Sequence, residues 1–342
     1  MDARLAYSRD ELMASHSYAA PHAAAGRRLH GGFNAAGAYV SPRTLVRWPA
    51  VRAWSAALEA RGWPLIDSSR ALLARDSYPN LAQHKLLLEA GLGRNLWDSL
   101  TITGVIEARG GRLCEMTPPN LQALIEDDLS NTATGHLAEG LLYAHGADEG
   151  GDPQRPDEGA HDAMWFAARD LAFGKDRWPL AEAPASIARE VEAREMPDLP
   201  EPVERFVAFL MNVLMIEIGA ERFFALCRAI FSDPELFDGR RAEAEEAAVI
   251  VSRIAADEEV HVAYLRCVIS EMRSFLWKTQ RGTIQGAEIV DPVWARMVDW
   301  HGNTERELSA RRFRTDLEPR VLQALGPKAG GDLLARFDAA AT

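Results

Sequence analysis

The sequence predicts a mainly α protein organised around four long helices, and three observations carry that prediction. From Thr117 onward, apolar residues recur at helical spacing over four stretches, about 119–147, 157–173, 203–231 and 241–277. The segments between them, ADEGGDPQRPD, the Pro-rich stretch 179–202 and SDPELFDG, are polar and rich in helix breakers. Strand signals are scarce, and no internal repeat of solenoid period is present.

Taken in order, residues 1–40 are rich in Ala, Gly and His, include LHGGFNAAGAY, and read as an irregular N-terminal arm. Residues 41–118 read as a helical extension packed on the bundle. Ser41-Pro42 resembles a helix cap followed by proline in the first turn. TLVRWPAVRAWSAALEARG is helical in pattern, with Pro49 interrupting or restarting it. ALLAR, NLAQHKLLLEAG and NLWDSLTITGVIEARG follow as shorter helices, the last weakened by its β-branched TITGVI. Residues 119–277 are the bundle itself. Residues 278–342 form a C-terminal helical extension that starts near DPVWARMVDWHGNTERELSARRF and frays in an Ala/Gly-rich end.

The chain of 342 residues is 47% hydrophobic with a formal net charge of −12. That balance supports a globular core and disfavours nucleic-acid binding, which needs a basic footprint. Cys114, Cys227 and Cys267 are far apart, which argues against a disulfide framework or a Cys-based zinc site and fits a reducing compartment. The N-terminus lacks the apolar core of a signal peptide, and no run of 18 apolar residues occurs. A cytoplasmic protein without a membrane span is the expectation.

The direction of the acids on each helix carries the functional reading. With 100° per residue, Glu258 lies in the middle of the stripe formed by Ala247, Val251, Ile254, Leu265, Ile269, Met272 and Leu276. His261 lies at its edge, whereas Asp257 and Glu259 point sideways. In the preceding helix Glu217 shares the direction of Phe206, Leu210, Val213 and Phe224, and Glu221 lies about 40° away. Antiparallel register favours Glu217 over Glu221. In the second helix Glu158 and His161 open a face continued by Trp165, Ala168 and Ala172. In the first, Leu121, Ile125 and Tyr143 bracket Glu139, with His136 within roughly 60°. Glu107 or Asp128 are alternatives for that first carboxylate. An ionised carboxylate buried alone costs several kcal/mol or more, so inward acids imply partners, protons or metal ions.

Two Glu-x-x-His sequences occur, Glu158–His161 and Glu258–His261, where random order gives roughly 0.7. One carboxylate from each of two helices and a Glu-x-x-His from each of the other two is the ligand pattern of di-iron and di-manganese four-helix bundles. On these residues, over about 119–277, the chain resembles the ferritin-like non-haem diiron carboxylate superfamily, in its oxygenase and oxidase branch. The short interval from Glu139 to Glu158 departs from the family's usual spacing.

The resemblance implies a ferritin-like four-helix bundle with additional N- and C-terminal helices. It implies metal ligation by Glu139, Glu158, His161, Glu217, Glu258 and His261, with His136 and Glu221 as further candidates and no catalytic residue assigned beyond the ligands. Asp162 and Asp257 are candidates to orient the imidazoles, and Tyr143 and Tyr264 to carry a radical or a proton. It further implies two iron ions, or a manganese–iron pair, with dioxygen as co-substrate. The partners expected are a small organic substrate to be hydroxylated or N-oxygenated and an external electron donor, and the chain could form a homodimer. The alternatives are a ferritin-like ferroxidase or metal-binding protein, and a non-catalytic helical interaction protein.

Overall fold

The computed structural model describes residues 4–73, 77–187, 189, 191 and 193–341. The N-terminal segment is not the irregular arm that its composition suggests. One turn, α1 (Arg9–Leu12), is closed by a Ser8/Glu11 capping box, and three antiparallel strands follow: β1 (Ala20–Ala24), β2 (Arg27–Phe33) and β3 (Tyr39–Val40). Ala25 and Gly26, both with positive φ, form the two-residue hairpin between β1 and β2. Composition hid these strands because Ala and Gly are poor strand formers that here gain their pairing from tertiary packing.

Helix α2 (Arg47–Ala60) places Pro49 in its first turn, where a missing N–H costs nothing, so the helix is not interrupted. The expected helix at ALLAR is a single turn, Arg70–Leu73, and its remainder lies outside the described residues. Asn80 and Gln83 form the capping box of α3 (Leu81–Glu89). Next comes α4 (Arg94–Gly110), in which TITGVI is helical because Leu96, Trp97, Leu100 and Thr101 bury one face.

The expected helix 119–147 is the main departure. Residues 121–123 form one turn, a non-helical stretch follows, and a π turn at Leu137–Leu141 with Gly140 at φ 135° leads into the short α5 (Leu142–Glu149). Glycine permits that backbone, and the reversal destroys the continuous wheel on which Glu139 was placed. Helix α6 (His161–Phe173) starts four residues later than expected. Helices α7 (Glu201–Phe231) and α8 (Arg241–Ser274) fall close to their predicted bounds. After α8 a hairpin, β4 (Leu276–Thr279) and β5 (Gly282–Gln285), leads to α9 (Gly286–Asp299) and α10 (Glu305–Ala339). The C-terminus does not fray: Leu317, Val321, Leu334 and Phe337 pack with Leu87 of α3, and Gln83 donates to the Phe337 carbonyl.

The fold is thus mainly helical. Its centre is a row in which α7 lies along α8, α8 along α6 and α6 along α4, so α4 belongs to this core rather than to a separate extension. The apolar core divides into one cluster around Leu210, Leu214 and Leu265 and another around Trp165, Phe224 and Val251. Between them runs a layer of buried acids and imidazoles. Among the described residues no helix is long and apolar enough to cross a membrane.

The non-helical stretch before α5 is tied down by Glu271 of α8. Its carboxylate accepts from the Ala133 and Thr134 backbone N–H groups at 2.9 and 2.8 Å and from the Thr134 hydroxyl at 2.7 Å. Burial outweighs these bonds and pushes Glu271 up to about 7. A carboxyl that binds its proton more tightly when folded adds stability below the unfolded value, and this is lost as pH rises through 7. Glu271→Gln, an uncharged mimic of the protonated acid, should therefore flatten the stability difference between pH 5 and pH 8. Urea unfolding at the two pH values should show a flattening on the order of 3 kcal/mol relative to wild type.

Candidate metal centre

Five elements deliver acids and imidazoles to one point. Helix α4 brings Glu107, α5 brings His145 and Glu149, α6 brings His161, α7 brings Glu217, and α8 brings Glu258 and His261. Close backbone packing makes this possible. A side chain at Gly146 would meet the Cys114 backbone nitrogen at 2.7 Å, and one at Gly150 would meet the Ala108 carbonyl at 2.6 Å. With hydrogen there instead, the end of α5 presses onto the end of α4 and carries Glu149 to Glu107.

Glu149 is the hub. Its Oε1 lies 3.5 Å from His145 Nε2, 3.4 Å from His161 Nδ1 and 3.2 Å from His261 Nδ1. Glu258 spans the same space, with Oε1 3.0 Å from His161 Nδ1 and Oε2 2.6 Å from His261 Nδ1. Glu217 Oε1 is 3.2 Å from His145 Nε2. Two ligand sets emerge that share Glu149: His145, Glu149, Glu217 and His261, and Glu107, Glu149, His161 and Glu258. In each set the donor atoms lie within 4.8 Å of one another.

Every inward imidazole has its other nitrogen held. Aimed inward through Nε2, His145 shares a 2.7 Å hydrogen bond between its Nδ1 and the Tyr264 hydroxyl. His261 donates from Nε2 to Asp148 at 2.9 Å, and His161 from Nε2 to Asp257 at 3.4 Å. Asp148 is clamped by Arg43 and Arg47. Asp257 also accepts from Tyr39 at 2.8 Å and from His30 at 3.1 Å. Such outer partners fix the tautomer and orientation of imidazoles that bind metal. The N-terminal segment therefore builds the outer layer of the centre. Its β2 also pairs with the loop that launches α6, His30 N–H donating to the Gly159 carbonyl at 2.8 Å.

The electrostatics agree with the geometry. Burial, reinforced by Glu149 and Glu258, raises the Glu107 carboxyl well above its ordinary range. Burial and the same two carboxylates push Glu217 up to about 7. Burial opposes the charged imidazoles of His161 and His261, yet Glu258 and its neighbours hold both well above the usual histidine value. Burial works against Asp148 as well, but Arg43, Arg47 and His261 keep it far below the carboxylate range. Glu149 Oε1 and His161 Nδ1, both buried and both aimed into the cluster, have no hydrogen-bond partner. Carboxylate oxygen and imidazole nitrogen at this density are the donor set of divalent first-row metals.

Of the residues singled out by sequence, His161, Glu217, Glu258 and His261 stand in this cluster. Glu139 does not: it is exposed on the π turn before α5. His136 is buried elsewhere, between the Tyr7 N–H at 3.0 Å and the Thr132 carbonyl at 2.7 Å, beneath Trp54. Glu158 precedes its helix instead of opening it, so the three-residue spacing to His161 has no helical geometry, and Arg28 and Arg155 take its oxygens at 2.7 and 3.0 Å. Glu221 lines a neighbouring cavity but stands outside both ligand sets.

Asp257 holds an imidazole as expected, whereas Asp162 does not, and of the two tyrosines only Tyr264 touches a clustered histidine. Sequence reasoning missed His145, Glu149, His30 and Asp148, and ranked Glu107 behind Glu139. The signals were present but local: His145-x-x-x-Glu149 is an i, i+4 pair, and Leu100, Gly104 and Glu107 share a helix face. No family model, curated protein or solved structure matches this chain.

The hub position of Glu149 has a direct consequence. After reconstitution with Fe(II) or Mn(II), Glu149→Ala should lose both metal equivalents by elemental analysis, while Glu139→Ala and Glu158→Ala retain the wild-type content. Asp257→Ala, which frees His161, should weaken binding by about 10–100-fold in a competition titration.

Proposed function

We propose that the chain is a dinuclear-metal oxidoreductase that activates dioxygen to oxidise a small organic substrate, on a ferritin-like bundle formed by α4, α6, α7 and α8. The observation that carries this reading is the buried set of four carboxylates and three imidazoles, each imidazole held from behind, with unpartnered donor atoms facing inward. Glu149, which belongs to both ligand sets, and Glu258, whose two oxygens lie near His161 and His261, would be held in common by a pair of ions. His145, Glu217 and His261 would complete one ion, and Glu107 and His161 the other. Bound there, a pair of iron ions, or manganese and iron, would supply the electrons that reduce dioxygen.

The protein's own groups define the remainder. Asp148 and Asp257, as acceptors, keep His261 and His161 in the ligating tautomer, and Tyr264 fixes the orientation of His145. Trp165 donates to Glu107 at 3.1 Å and packs tilted against Phe223 and Phe224. A cavity of about 300 Å³ meets the cluster at Glu217 and Glu258, so a substrate can approach from the α7–α8 side.

Fe(II) loaded anaerobically should bind at two equivalents per chain, and admission of dioxygen should then consume gas and produce a coupled diferric Mössbauer signature. Glu217→Ala should lose that signature with its fold intact by circular dichroism. Two bound irons that leave dioxygen untouched would refute the oxidase reading.

A further inference from the structure

The cavity beside the centre has an asymmetric lining that identifies what it takes. Its floor is formed by Glu217 and Glu258, its walls by Ile218, Phe224, Ala255 and Val262, and its cation is Arg228. Ile218 and Phe224 are buried, whereas Ser252 and Glu259 stand exposed at the mouth. Arg228 is only partly exposed and has no ion pair or side-chain hydrogen bond among the described residues. Glu221, on the same wall, has a partner of its own. Arg228 is the one cation among the residues that line this cleft, and a guanidinium pairs with a carboxylate through two parallel hydrogen bonds.

Distance selects the length of the ligand. Arg228 follows Glu217 by eleven positions on one helix, which is about 16 Å along the axis. Helical side chains lean towards the N-terminus, so the guanidinium sits closer to the centre than that. The cavity holds about ten water-sized volumes. We infer that this cleft binds a slender aliphatic carboxylate of about eight carbons, its anionic head on Arg228 and its apolar tail directed past Phe224 towards Glu217 and Glu258.

Glu259 does not reverse this polarity. It is exposed, where water screens its charge. As a substrate assignment the inference rests on the oxidase reading, since it makes the tail the part that is oxidised. As a binding site it stands on the cavity alone.

Octanoate, 1-octanol and octylamine should be titrated calorimetrically into the full chain loaded with redox-inert Zn(II), with metal content measured on the same samples. Octanoate should bind and the other two should not compete with it. Arg228→Gln should weaken octanoate at least tenfold, and Arg228→Lys should restore part of the loss, with zinc content unchanged in both. Equal octanoate affinity in Arg228→Gln, no octanoate binding, or preference for octylamine would each overturn the inference. Failure to hold zinc would instead count against the metal centre, and the Arg228 comparison would still decide the site.

Discussion

Four glutamates and three histidines can share one buried layer only if their charges cancel within it. The whole architecture follows from that constraint. Protons on Glu107, His145, His161 and His261 are one way to meet it, and divalent cations are another that uses the same atoms. Replacing the layer with apolar residues would remove the cost, so the layer is not a source of stability.

The elements around the layer hold it in place. Arg43 and Arg47 enter from the N-terminal segment and α2, yet their effect is felt at His261 through Asp148. Tyr39 and His30, from the small sheet, act on His161 through Asp257. The N-terminal segment is therefore part of the site although it contributes no residue to the two ligand sets. Rigid support of this kind keeps donor atoms within the small tolerances that metal chemistry demands.

Trp165 packs against Phe223 and Phe224 beside Glu107, while the α7–α8 side opens into the cavity that includes Arg228. Glu217 and Glu258 thus face two ways, into the acid and imidazole layer and onto the cavity.

The mainly α fold, the breaks between α6, α7 and α8, and the inward direction of Glu217, Glu258 and His261 were all legible in the residues. Each depends on the period of a single long helix, which is a local property. His161 was found through a spacing that holds in sequence but not in helical geometry, because the chain before it is a loop fixed by β2. Tertiary structure alone decided that Glu107, His145 and Glu149 complete the cluster and that Glu139, Glu158 and His136 do not. That choice turns on a reversal at Gly140 and on glycine contacts between α4 and α5. Both are close approaches between segments, which the pattern of one segment cannot encode.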